Sequence, residues 1–71
     1  MSMIIEHAYF RELETSVEIA ESDPGENLKC YRVRIDTPNK RNMISCNGKK
    51  DAQLKYQSVS HKLASIIRMI D

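Results

Sequence analysis

The most regular pattern lies near the end of the chain. From Asp51 to Ile70, apolar side chains fall at Ala52, Tyr56, Val59, Leu63, Ile66, Ile67 and Ile70. Steps of three and four residues, at about 100° per residue, gather them into one stripe and predict an amphipathic helix. Asn47 reads as its N-cap and Gly48 as a first-turn residue, while Gln57, His61, Ser65 and Arg68 fall on the opposite, wet face.

Two earlier segments keep a period of two. Thr15, Val17 and Ile19 alternate with Glu14, Ser16, Glu18 and Ala20, and Tyr31, Val33 and Ile35 alternate with Cys30, Arg32 and Arg34. Both predict half-buried strands. Between them, Asp23-Pro24-Gly25-Glu26-Asn27 predicts a turn, because Pro24 presets φ and Gly25 supplies the positive φ of a type II turn. The register that buries both apolar sets on one face pairs Val17 with Val33, Ile19 with Tyr31 and Thr15 with Ile35. On the other face it sets Glu18 against Arg32 and Ser16 against Arg34. The same register has Glu21 facing Lys29. A second turn over Pro38-Asn39-Lys40-Arg41-Asn42 leads to a short strand from Met43 to Cys46.

The first segment fits two periods. Ile5, Ala8, Tyr9 and Leu13 make a loose helical stripe, whereas Ile5, His7 and Tyr9 alternating with Ile4, Ala8 and Phe10 make a strand pattern. Preferring the helix over residues 3–13 gives an α+β fold of order α-β-β-β-α. A three-stranded antiparallel sheet then packs against the C-terminal amphipathic helix, with the short N-terminal helix on the same face.

A chain of 71 residues makes a single domain, 1–71. At this size apolar burial, about 25 cal/mol per Å², nearly cancels an ordering entropy of about 1.5 kcal/mol per residue, so self-association as a homodimer is expected. Cys30 and Cys46 are the only cysteines, whereas a secreted fold this small carries about 4 to 8, which points to a reducing cytoplasm. Glu6 and His7 interrupt the first apolar run, unlike an export signal, and no run approaches the ~18 apolar residues of a membrane span.

The net charge of +1 hides a segregation. Residues 1–27 carry seven acidic side chains against Arg11, a balance of −6, and residues 28–71 carry ten basic side chains against three acidic, a balance of +7. Such asymmetry fits a nucleic-acid or acidic-partner surface, or neutralisation across the hairpin through the cross-strand pairs above.

No catalytic, metal or cofactor site is spelled out. Gly25 and Gly48 sit in no phosphate-binding pattern, Cys30 and Cys46 lie far apart, His7 and His61 are isolated, and no serine occupies a nucleophile elbow. The basic candidates for a phosphate or an acidic partner are Lys49 and Lys50 at the start of the helix, with Lys40 and Arg41 in the second turn. Cations at a helix N-terminus face the positive end of its macrodipole, a cost that a phosphate offsets, as does a carboxylate such as Glu26 or Asp23. A separate candidate is the strip Leu54, Ser58, His61, Ser65 and Met69 on the wet face, suited to close packing of another helix from a protein partner or a second copy.

Lys49-Lys50-Asp51-Ala52 opening the last helix of an α-β-β-β-α chain resembles a double-stranded RNA-binding domain. The resemblance implies lysines on phosphates across a groove and rests on Lys49, Lys50 and Ala52. Gln53 stands where the family's next lysine belongs, and the first strand-to-strand loop is acidic and lacks the family's histidine. The expected function is therefore a small non-enzymatic binding module, regulatory, inhibitory or accessory, acting through protein–protein contact, with nucleic-acid binding as the alternative.

Overall fold

The computed structural model describes residues 2–22 and 29–70. The chain forms strand β1 (Ser2–Phe10), a single 3-10 turn (Arg11–Leu13), strands β2 (Thr15–Ser22), β3 (Cys30–Asp36) and β4 (Arg41–Cys46), and helix α1 (Lys49–Ile70). The four strands make one antiparallel sheet in the order β1-β2-β3-β4, and α1 packs on one face of it. The expected turn over residues 23–27 lies outside the described residues.

The expected N-terminal helix over residues 3–13 is instead β1, so the sheet has four strands and the order is β-β-β-β-α. Cross-strand pairing overrides the loose helical stripe. β1 lies along β2, with Ala8 opposite Val17 and Glu6 opposite Ile19, and so covers an edge that would otherwise leave the most buried strand open. Between Ile4 and Glu6 the register slips at a bulge. Ile5 and Phe10 are five residues apart, an odd spacing that strict alternation puts on opposite faces. The extra residue resets the parity, and both side chains pack against the core.

The hairpin register also differs from expectation by two residues. Val17 pairs with Ile35, Ile19 with Val33, and Glu21 with Tyr31. A two-residue shift preserves the faces, so the apolar set stays buried and only the partners change. Glu18 is accordingly opposite Arg34, with 3.6 Å between Glu18 Oε2 and Arg34 Nη1. Ala20 lies opposite Arg32 and Ser16 opposite Asp36. The Glu21–Lys29 contact survives as an ion pair at 3.8 Å.

Val17, Ile19 and Val33 are fully enclosed and meet Ala52 of α1, whose small side chain lets the helix backbone approach the sheet. Tyr56, Val59 and Leu63 continue that contact along the helix. The apolar stripe then outruns the sheet: Ile66 and Ile70 are 44% and 65% exposed. Length explains this. Twenty-two helical residues span about 33 Å, against about 26 Å for the eight residues of β2.

The helix begins at Lys49, one residue later than a cap at Asn47 implies, with Gly48 in the cap position. Gly48 has φ +149°, and its carbonyl accepts from the Ala52 N–H at 3.0 Å. Among the described residues the other positive φ belongs to Glu14, at +49° in the left-handed region, where the backbone closes the connection from β1 to β2. These two positions respond oppositely to substitution. Nothing lies within 4 Å of a Cβ placed on Gly48, so Gly48→Ala loses stability through the backbone alone, by about 1–2 kcal/mol. Glu14→Gly relieves left-handed strain and leaves stability unchanged or raises it by up to about 1 kcal/mol. Chemical denaturation of the two variants beside the parent checks both signs.

Candidate functional site

Three surfaces carry the residues singled out by the sequence. The first is the start of α1. Lys49 and Lys50 are both exposed in its first turn and, among the described residues, neither has an ion-pair partner. The turn already holds its own anion. Asp51 Oδ2 accepts from the Asn47 backbone N–H at 3.0 Å and from Lys55 Nζ at 3.1 Å, while Lys55 also donates to the Ser45 carbonyl at 3.4 Å. A carboxylate one turn inside a helix meets the positive end of the macrodipole, which offsets part of the cost of the two lysines. The Asn47 amide, and then the Lys55 ammonium, hold the Asp51 carboxyl below its ordinary range. The counter-charges expected from Asp23 and Glu26 lie outside the described residues.

Lys40 and Arg41 do not join this surface. Lys40 precedes and Arg41 begins β4, whereas Lys49 and Lys50 follow its end, and the six residues of the strand separate the pairs by about 17 Å. Arg41 is also engaged, its Nε 2.9 Å from Asp36 Oδ1. Lys40 closes the turn through its backbone: its carbonyl accepts from Thr37 N–H and from the Thr37 hydroxyl, each at 2.8 Å. The double-stranded RNA-binding resemblance also loses its topological support, because a strand occupies the place of the first helix.

The second surface is the outer side of α1. Leu54 (59% exposed), Ser58, His61 and Met69 (85% exposed) all face outward, with Ser65 half-buried and its hydroxyl accepting from Arg68 Nη2 at 3.4 Å. The helix brings the five together as expected, in one strip.

The third surface was not anticipated. Ile66 and Ile70 belong to the inner stripe yet stand in the open beyond the sheet, with Ile67 half-buried between them. The signal was present in element lengths, since a seven-residue apolar stripe is longer than the strands available to cover it.

The uncovered sheet face combines locally matched charges, Glu18–Arg34 and Asp36–Arg41, and an Arg32 Nη1–H donated to Met43 Sδ at 3.8 Å, with the exposed apolar side chains of Ile4, Tyr9 and Met43. On the helix side, Tyr31 is pushed up by its hydrogen bond to Glu21 and by burial. Tyr56 is pushed up by burial and then by the Glu6 carboxylate. Cys46 packs against the core from the helix side, while Cys30, next to the inward Tyr31, points to the other side, so both stay free thiols. Among the described residues there is no pocket, no cluster of three metal-ligating side chains, and no helix long and apolar enough to cross a membrane. No protein-family model, curated protein or solved structure matches the chain.

The Asp51 contacts give stability a pH dependence. A carboxyl whose pKa falls on folding stabilises the fold above its unfolded value, and that contribution is lost as pH drops through the folded value. Asp51→Asn is therefore less stable than the parent at neutral pH. The gap closes on acidification below the ordinary aspartate range, as thermal unfolding across that range measures.

Proposed function

We propose that the chain is a small non-enzymatic binding module that works through protein–protein contact, in a regulatory, inhibitory or accessory role. The observation that carries this reading is α1, which leaves apolar side chains uncovered both along its outer strip, at Leu54 and Met69, and on its last two turns, at Ile66 and Ile70. Exposed apolar groups strung along one helix favour docking of a partner helix or groove over simple hydration. The small side chains of Ser58 and Ser65 between Leu54 and Met69 allow close approach. A reducing, cytoplasmic setting fits the two free cysteines on opposite sides of the sheet.

Nucleic-acid binding is the second reading, supported by the exposure of Lys49 and Lys50. The Asp51 carboxylate beside them and the distance to Lys40 and Arg41 weigh against it, because phosphate binding draws its affinity from several clustered cations.

A photo-crosslinking residue in place of Ser58, in cells that make the protein, separates the two. The expected result is a discrete protein adduct that Leu54→Arg abolishes. Absence of any protein adduct overturns the reading. Labelled duplex RNA or DNA bound with steep salt dependence, and with a slope shallower by about 2 in the double variant Lys49→Glu and Lys50→Glu, establishes the alternative instead.

A further inference from the structure

Asn47 and Gly48 join β4 to α1, and neither reading above uses their chemistry. Asn47 is exposed, and its backbone N–H is tied to Asp51 Oδ2 at 3.0 Å. Among the described residues its side-chain amide makes no hydrogen bond, and the Gly48 N–H meets no acceptor. The Gly48 carbonyl, by contrast, is held by the Ala52 N–H at 3.0 Å. With φ at +149° and nothing within 4 Å of a Cβ placed there, the backbone of Gly48 stands open to solvent on that side.

An asparagine carboxamide is attacked by the backbone nitrogen that follows it when three conditions meet. The side chain must be free to turn, the N–H must be free to lose its proton, and no Cβ may shield the nitrogen, which only glycine satisfies fully. Asn47-Gly48 meets all three. The other described asparagines do not. Asn39 precedes Lys40, whose N–H donates to the Thr37 hydroxyl at 3.0 Å. Asn42 lies within β4 opposite Ile35, and Met43 after it is paired with Arg34, so the ladder fixes both. The start of α1 also favours the reaction. The negative charge that develops on the Gly48 nitrogen, and then on the Asn47 side-chain oxygen, lies at the positive end of the helix next to the exposed Lys49 and Lys50.

We infer that Asn47 is a self-modification site of the folded chain, converted through a cyclic imide and water to an aspartyl or isoaspartyl residue. The Gly48 nitrogen gives its proton to hydroxide and bonds to Asn47 Cγ. The bond from Cγ to the side-chain nitrogen then breaks, and that nitrogen takes a proton from water and leaves as ammonia. Water opens the imide at either carbonyl. Breaking the new nitrogen–Cγ bond leaves an ordinary aspartyl residue. Breaking the original peptide bond instead runs the main chain through the side-chain carbons and lengthens the connection by a methylene. Either product places a carboxylate next to Lys49 and Lys50 and lowers the net charge of +1 by one. Conversion therefore neutralises part of the basic start of α1, the surface behind the nucleic-acid reading, and leaves the outer strip from Leu54 to Met69 unchanged. The inference stands independently of either reading.

Peptide mapping by mass spectrometry tests the inference on the parent protein, incubated at neutral and mildly alkaline pH with circular dichroism to confirm folding. The peptide containing Asn47 gains about 1 Da with time and resolves into two products, one of them methylated by a protein isoaspartyl methyltransferase. In heavy-oxygen water both products carry the label. The rate rises with pH, as loss of the amide proton requires, and exceeds that at Asn39 and at Asn42 by at least about tenfold. It stays within about tenfold of the rate in denaturant, because the fold leaves the site open. Gly48→Ala slows conversion by at least about tenfold. Since that variant also loses stability, Asn47→Gln provides a second control: its attack needs a larger ring, and it keeps its starting charge on isoelectric focusing while the parent turns acidic. A native rate further below that in denaturant overturns the inference. So does an Asn47 peptide that converts no faster than those of Asn39 and Asn42, or a product without isoaspartate.

Discussion

Everything else in this fold depends on the enclosure of Val17, Ile19 and Val33 beneath Ala52. Two central strands supply the three branched side chains, and one small helical residue admits the helix closely enough to seal them. A core of this size leaves little surplus: truncating a buried Ile or Leu to Ala costs about 2–5 kcal/mol, comparable to the whole stability of a small domain. β1 and the later turns of α1 are consequences of that economy. β1 turns β2 from an edge strand into a covered one, and Tyr56, Val59 and Leu63 extend the seal until the sheet runs out.

The charges divide in the same way. Around the sheet they are matched locally, by pairs that are partly exposed and so contribute on the order of 0–1 kcal/mol each. Their effect is on partner choice more than stability, because they remove most of the basic side chains of β3 and β4 from an external field. What survives is a separation between an acidic β1–β2 connection and a basic helix, hidden in a net charge of +1. A dipolar surface of this kind suits a complementary protein face better than a polyanion, for which a continuous basic track carries the affinity.

The first turn of α1 illustrates how tertiary contacts recast a motif. Two lysines ahead of a helix read as a phosphate site in one dimension. In three dimensions Asp51 turns back to the Asn47 amide and holds Lys55, so the positive end of the helix already has an internal anion. Lys40 and Arg41, the other half of the basic set, sit a full strand away, one closing a turn and the other bound to Asp36.

Periodicity by itself determined the long helix, the three strands that follow the first segment and the faces they bury, because a stripe at period 3.6 or 2 has one way to reach a core. The exposed strip from Leu54 to Met69 followed from the same stripe. Three features needed the tertiary structure. The first segment fitted both periods, and it became a strand because pairing with β2 outweighed a helical spacing, with the bulge at Ile5 bringing Ile5 and Phe10 to one face. The hairpin register moved by two residues because a shift of two keeps both faces intact, leaving sequence pattern with nothing to choose between them. The exposure of Ile66 and Ile70 was decided by where the sheet ends beneath the helix, and a local pattern does not record how much surface its partner offers.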